Sequence, residues 1–303
     1  MNSAAVSSPF LPHIQKIIQE RIDLRSSLKH LRTMKKAGFP NAEETTQCWD
    51  DLKVKSLTQL CVSVYAVVIV HTIGAVVASV FGRLARSVPK KETKTGTGDS
   101  SSELSRADKI ACMELVVEHF AEKGLPELTD LVDRAVRDKT SAWSGDAESL
   151  KRSVGVTELQ DTLTTVRRRV ESGEPSSRHP FARFVVVSDL ANRTDISTNV
   201  LTALRVAFDA VCSPLCTAAF RDGNECGFLA FFEWVKRGSV FDGQDAVLYG
   251  RLVSFLSVAL HKNAAGTFDT NAGDALIRRL IRVPTAEALV RALYRSSVLM
   301  GSS

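Results

Sequence analysis

CWDDLKVKSLTQLCVSVYAVVIVHTIGAVVASVFGRL, residues 48–84, decides how the rest of the chain is read. A Trp, two acids and two lysines stand ahead of a run that has no Asp, Glu, Lys or Arg from Ser56 to Gly82. A run of that length can cross a bilayer. A helix apolar on every side can equally be the central element of a large bundle. Ser56, Thr58, Gln59, Ser63, His71, Thr72 and Ser79 are scattered along it, and a His near the middle is costly in lipid. Beyond Trp49 and Phe81 there is no aromatic belt at either end. Residue chemistry leaves both readings open: a transmembrane helix over 56–82, or a buried spine.

The surrounding 303-residue chain is 44% hydrophobic and 24% charged, a balance that suits a globular protein of one or two domains with a substantial core. Aromatics are only 7%, which leans towards helix. The net charge of +5 is a mild bias towards an anionic membrane surface or an acidic partner. It falls short of the dense basic stripes of nucleic-acid binders, and no RNA-recognition signature is present. Cys48, Cys61, Cys112, Cys212, Cys216 and Cys226 form no disulfide framework, and no nearby His completes a metal set around the last three. Buried thiols in a reducing compartment are expected. The start, MNSAAVSSPFLPH, lacks the basic and apolar regions of a secretory signal.

Outward from the central run, residues 11–36 read as one amphipathic helix with Ile14, Ile17, Ile18, Leu24, Leu28 and Leu31 on one stripe, ended by Gly38 and Pro40. Residues 87–103 are rich in Lys, Gly, Ser and Thr and are expected as a flexible loop. Helical spacing returns at 104–122 and 126–139, with Pro126 suited to a first turn. Thr157-x-x-Gln160 is a capping-box candidate, followed by Leu159, Leu163, Val166 and Val170 on one face. After a Gly/Pro/Ser break at 172–180, helical patterns are expected at roughly 181–191, 195–212, 227–237, 245–262, 273–282 and 285–298. FVVVSDL has strand propensity but no turn-paired partner nearby. The expected fold class is all-α, an elongated bundle of long helices around a central apolar helix, in a single domain over 1–303.

Trp49-x-Asp51-Leu52-Lys53-x-x-Ser56-x-Thr58, followed by Val64-Tyr65, resembles the peroxin-3 family, the peroxisomal membrane receptors for peroxin-19. There the same pattern begins the long central helix of a soluble bundle. SPFLPHIQKIIQERI resembles the family's first cytosolic helix, GLPELTDLVDRAV its Gly-Leu-x-Glu-Leu segment, and VTELQDTLTTVRRRVE the helix after it. ISTNVLTALRVAFDAV and RVPTAEALVRALYRSS are weaker echoes. Family members begin with a short membrane-spanning anchor. This chain starts where that anchor would already have ended, so a soluble fragment or a different anchor is expected.

The resemblance implies a docking receptor without catalytic activity or cofactor, on the cytosolic face of the membrane of a peroxisome or a specialised form such as a glycosome. Peroxin-19 chaperones new membrane proteins, and its N-terminal amphipathic helix enters an apolar groove at one end of the bundle. Trp49 and Leu52 match groove residues, and Lys53 a basic residue beside the groove. Leu28, Leu31 and Arg32 fall where the end of the first helix supplies neighbours. A half-exposed Trp offers broad, rigid contact area, and Lys53 and Arg32 would speed encounter with an acidic partner. An unrelated helical scaffold is the other alternative, though no repeat of fixed period is present. Asp50 and Asp51 read as helix N-terminal charge. Tyr65, Ser63 and Ser56 have no His base at helical spacing, so no enzymatic constellation is expected.

Overall fold

A computed structural model describes residues 10–39, 41–87, 106–141, 143, 152–172, 180–186, 196–237, 246–248, 250–253, 255–256 and 282–295. Its helices are α1 (Leu11–Arg21), α2 (Leu24–Lys36), α3 (Ala42–Ser87), α4 (Arg106–His119), α5 (Leu125–Thr140), α6 (Val156–Ser172), α7 (Thr198–Val211), α8 (Pro214–Arg237) and α9 (Pro284–Arg295). The fold is an all-α bundle around a long apolar central helix.

That helix is α3, 46 residues long, or about 70 Å at the helical rise. It packs against α1, α2, α4, α5, α7, α8 and α9. Every residue from Ser56 to Val77 is buried. Each fully buried Val, Leu or Ile of this run contributes roughly 1.5–3 kcal/mol. Among the described residues α3 is the one continuous helix long and apolar enough to cross a membrane, yet its apolar window is wholly covered by the rest of the chain. Its polar residues meet burial in two ways. The hydroxyls of Ser56 and Ser79 donate to the carbonyls of Leu52 and Ala75, one turn back. Thr58 Oγ1, Ser63 Oγ and His71 Nδ1 are buried with no hydrogen-bond partner among the described residues.

The expected single helix over 11–36 is two. Ile22 leaves helical geometry, and Asp23 caps the second piece by accepting from Ser26 N at 3.0 Å. Gly38 ends α2 as read, at φ 76. Between α4 and α5 the chain forms a π-turn, Phe120–Gly124. There Gly124 lets the Phe184 carbonyl approach so closely that a Cβ would lie 2.0 Å from its oxygen. Pro126 does sit in the first turn of α5.

Two short strands escaped the sequence reading. β1 (Ser153–Gly155) pairs antiparallel with β2 (Ala246–Leu248), Val154 opposite Val247. Their separation in sequence explains why no local turn signal announced them. α6 begins at Val156, so Thr157 lies inside its first turn rather than ahead of it. The helix expected over 181–191 is, in its described part, a single 3-10 turn at Ala182–Phe184. α8 starts at Pro214, well before the expected 227. The loop expected at 87–103 lies outside the described residues except Ser87, which ends α3, and so does all but Arg282 of the pattern at 273–282.

Candidate functional site

The residues singled out from sequence converge on the start of α3 and the facing side of α2. Asn41 caps α3, its Oδ1 accepting from Glu43 N at 3.0 Å and Glu44 N at 3.3 Å. Glu43 and Glu44 in the first turn complement the helix dipole. Glu44, Cys48, Asp51 and Lys55 follow at helical spacing and face α2. His30 Nε2 lies 3.4 Å from Glu44 Oε1. Cys48 Sγ lies 3.9 Å from the Ser27 carbonyl. Ser27 Oγ donates to Asp51 at 2.8 Å and accepts from Lys55 Nζ at 2.9 Å, while Lys55 and Asp51 pair at 2.8 Å.

The cleft between these helices, about 480 Å³, is lined by Ser26, Ser27, His30, Glu44, Gln47, Cys48 and Asp51. Its lining residues are mostly of polar types, and none of Trp49, Leu52, Lys53, Leu28, Leu31 and Arg32 is among them. A second cleft, about 530 Å³, lies where α1, α3 and α5 meet, and Arg21, Lys55, Arg134 and Arg137 share it with Asp130 and Asp133. A smaller one of about 190 Å³ between α6 and α8 has Leu163, Phe228, Leu229 and Phe232 beside Arg167 and Glu225.

The six residues expected at a partner surface divide into two groups. Trp49 and Leu31 are half-buried and Arg32 is exposed, so these three reach the surface. Leu52 is 0% exposed, Leu28 6% and Lys53 4%. The expectation that Lys53 stands as a basic rim residue is corrected by its geometry. Its ammonium donates to Asp50 Oδ1 at 2.7 Å, to the Thr140 carbonyl at 3.2 Å and to the Trp143 carbonyl. All three protons serve the fold, closing the C-terminal end of α5 where helix carbonyls lack intrahelical donors. Leu28 and Leu52 are core residues because α2 and α3 pack on those faces.

Sequence reasoning missed Trp143. It is buried, its carbonyl accepts from Lys53, and its Nε1 donates to Glu158 Oε1 at 3.1 Å. Arg152 also donates to that carboxylate. An aromatic just past a helix end was the available signal.

Deeper in the bundle, burial holds the Glu171 carboxyl up at about 7, opposed by Arg167, whose Nε stands 3.6 Å from Glu171 Oε1. Tyr65 donates weakly to the Arg167 carbonyl at 3.5 Å, and burial pushes its hydroxyl well above the usual range. Burial also drives His71 down to about 4. Among the described residues no cluster of His, Cys, Asp and Glu is arranged to hold a metal ion. No protein-family model matches the chain, and no curated protein matches it.

Proposed function

We propose that this chain is a docking receptor of the peroxin-3 type. It captures the N-terminal amphipathic helix of a peroxin-19-like cargo chaperone at the cytosolic face of a peroxisomal membrane. The observation that carries the reading is Trp49. The indole opens the Trp-x-Asp-Leu-Lys motif near the start of the central helix and is neither exposed nor buried. A rigid, half-covered aromatic is the kind of anchor that helix-in-groove recognition uses.

Leu31, half-buried, and Arg32, exposed, supply an apolar and a basic group on the neighbouring helix. Leu28, Leu52 and Lys53 act from behind, by fixing how α2, α3 and α5 meet. The reading assigns the protein no catalytic step. The membrane-span alternative finds less support, because the sides that lipid would have to touch are covered by other helices.

The test is a fluorescence titration of the purified chain with a labelled peptide spanning the peroxin-19 N-terminal helix. Saturable binding that Trp49→Ala weakens at least about tenfold, with the helical circular dichroism retained, supports the reading. Absence of binding, or equal affinity of the Trp49→Ala variant, overturns it.

A further inference from the structure

α2 holds no acidic residue, and five of its thirteen positions are Arg or Lys. Arg25, Lys29, Arg32 and Lys36 follow at i, i+4, i+7 and i+11, the spacing that places them in one stripe along the helix. All four are exposed, as is Lys35. None of the five forms an ion pair with another described residue. The nearby acids are engaged elsewhere. Asp23 caps α2 through Ser26, Glu44 faces His30, and Asp51 holds Ser27 and Lys55. Lys35 and Lys36 in the last turn complement the helix dipole, whereas Arg25, Lys29 and Arg32 lie one turn apart ahead of it, and like charges at that spacing disfavour the helix.

At the end of the stripe stands Phe39. It is one of three large hydrophobic residues exposed among those described, at 39%. Its backbone lies at φ 53, the one non-glycine residue at positive φ among them. Its N–H closes α2 by donating to the Met34 carbonyl at 2.9 Å. A bulky side chain held in the left-handed region is uncommon and costs conformational energy. Here the strain presents an aromatic ring to solvent beside Lys35 and Lys36.

We propose that this face of α2 is a peripheral membrane-binding surface for anionic lipid headgroups, with Phe39 entering the interfacial layer. None of the three clefts described above is lined by any of the stripe's four cations. Exposed, flexible cations outside those clefts, with Arg25, Lys29 and Lys36 beyond the surface assigned above to the partner helix, offer charge rather than a fitted pocket. A fluid anionic surface demands no such fit, because long cationic side chains reach headgroups individually. An aromatic at the edge of a basic patch is suited to the interface between headgroups and acyl chains. The apolar face of α2 is committed to α3, so the helix lies on the surface rather than inserting.

The experiment is co-sedimentation of the chain with phosphatidylcholine vesicles prepared with and without phosphatidylserine. Binding to the anionic vesicles, little to the neutral ones, and loss on raising salt are expected. The triple variant Arg25→Glu, Lys29→Glu, Lys36→Glu, which leaves Arg32 in place, is expected to lower partitioning at least about tenfold with circular dichroism unchanged. Phe39→Gly, which relieves the backbone, is expected to weaken it severalfold without changing its dependence on lipid charge. Equal binding to both vesicles, no binding to either, or a triple variant that binds like the parent overturns the proposal. So does binding of an acidic peptide that the triple variant loses while vesicle binding is absent.

Discussion

The Lys53 ammonium donates to the Thr140 carbonyl at 3.2 Å, joining the start of the central helix to the end of α5 across 87 positions of chain. With Asp50 and Trp143 it forms a buried, fully used cation. Lys53→Met keeps the length of the side chain and leaves the Thr140 and Trp143 carbonyls without their donor, while Asp50, 40% exposed, keeps its water. A loss of about 3 kcal/mol is expected, read as a lower urea midpoint at unchanged m. An unfolding free energy within about 0.5 kcal/mol of the parent would contradict this role.

His71 and Glu171 make opposite contributions to the pH dependence of stability. His71 is held down at about 4 against 6.5 in the unfolded chain. The unfolded state therefore binds the extra proton between those values, and stability falls as pH drops from 6.5 to 4. Glu171 is held up at about 7 against 4.5. Its contribution is present below 4.5 and is lost as pH rises through 7. Each amounts to about 3 kcal/mol across its window, so in the parent they largely offset where the windows overlap. Relative to the parent, Glu171→Gln is expected to make stability climb with pH between about 4.5 and 7. His71→Leu is expected to make it decline over about 4 to 6.5. Urea midpoints measured across that range separate the two.

Gly124→Ala places a methyl group 2.0 Å from the Phe184 carbonyl oxygen and 3.0 Å from the Phe120 ring. A backbone carbonyl cannot swing away as a side chain can. The substitution is expected to cost about 3 kcal/mol, seen as a Tm lowered by several degrees. Gly38→Ala instead meets no atom within 4 Å and suffers only from φ 76, so its cost is expected nearer 1 kcal/mol.

Burial pushes the thiols of Cys61, Cys112 and Cys216 up to about 12. Cys212 and Cys226 are only half-buried. Alkylation of the native protein followed by mass spectrometry is expected to modify Cys212 and Cys226 first, and the buried thiols of Cys48, Cys61, Cys112 and Cys216 only after denaturant is added. Early labelling of Cys61 would contradict the packing of α3.

The bundle itself was legible because helical spacing is local. The stripes of α1, α2, α5, α6 and α7 repeat every three or four residues, and Pro126 and Gly38 mark ends through their own backbone preferences. The break at Ile22 was not legible, since the apolar stripe runs on across it and the Asp23 cap alone interrupts it. At the candidate site Arg32 is exposed, as a cation on a helix face suggests, while Trp49 and Leu31 are half-buried against the core. The burial of Lys53 was not legible, because a cation near a helix start looks like a solvated charge until the carbonyls that need it arrive from elsewhere.

By itself the sequence determined that this chain is helical, that one helix would be apolar on all sides, and which residues flank that helix. Tertiary structure alone decided what surrounds it. The apolar run satisfies bilayer and bundle equally, because hydropathy records the preference to leave water and not the destination. The destination here is seven neighbouring helices. Lys53 faces inward for the same kind of reason. Its partners, Thr140 and Trp143, lie some 90 residues further along the chain, and no pattern read within a few turns of Trp49 contains them.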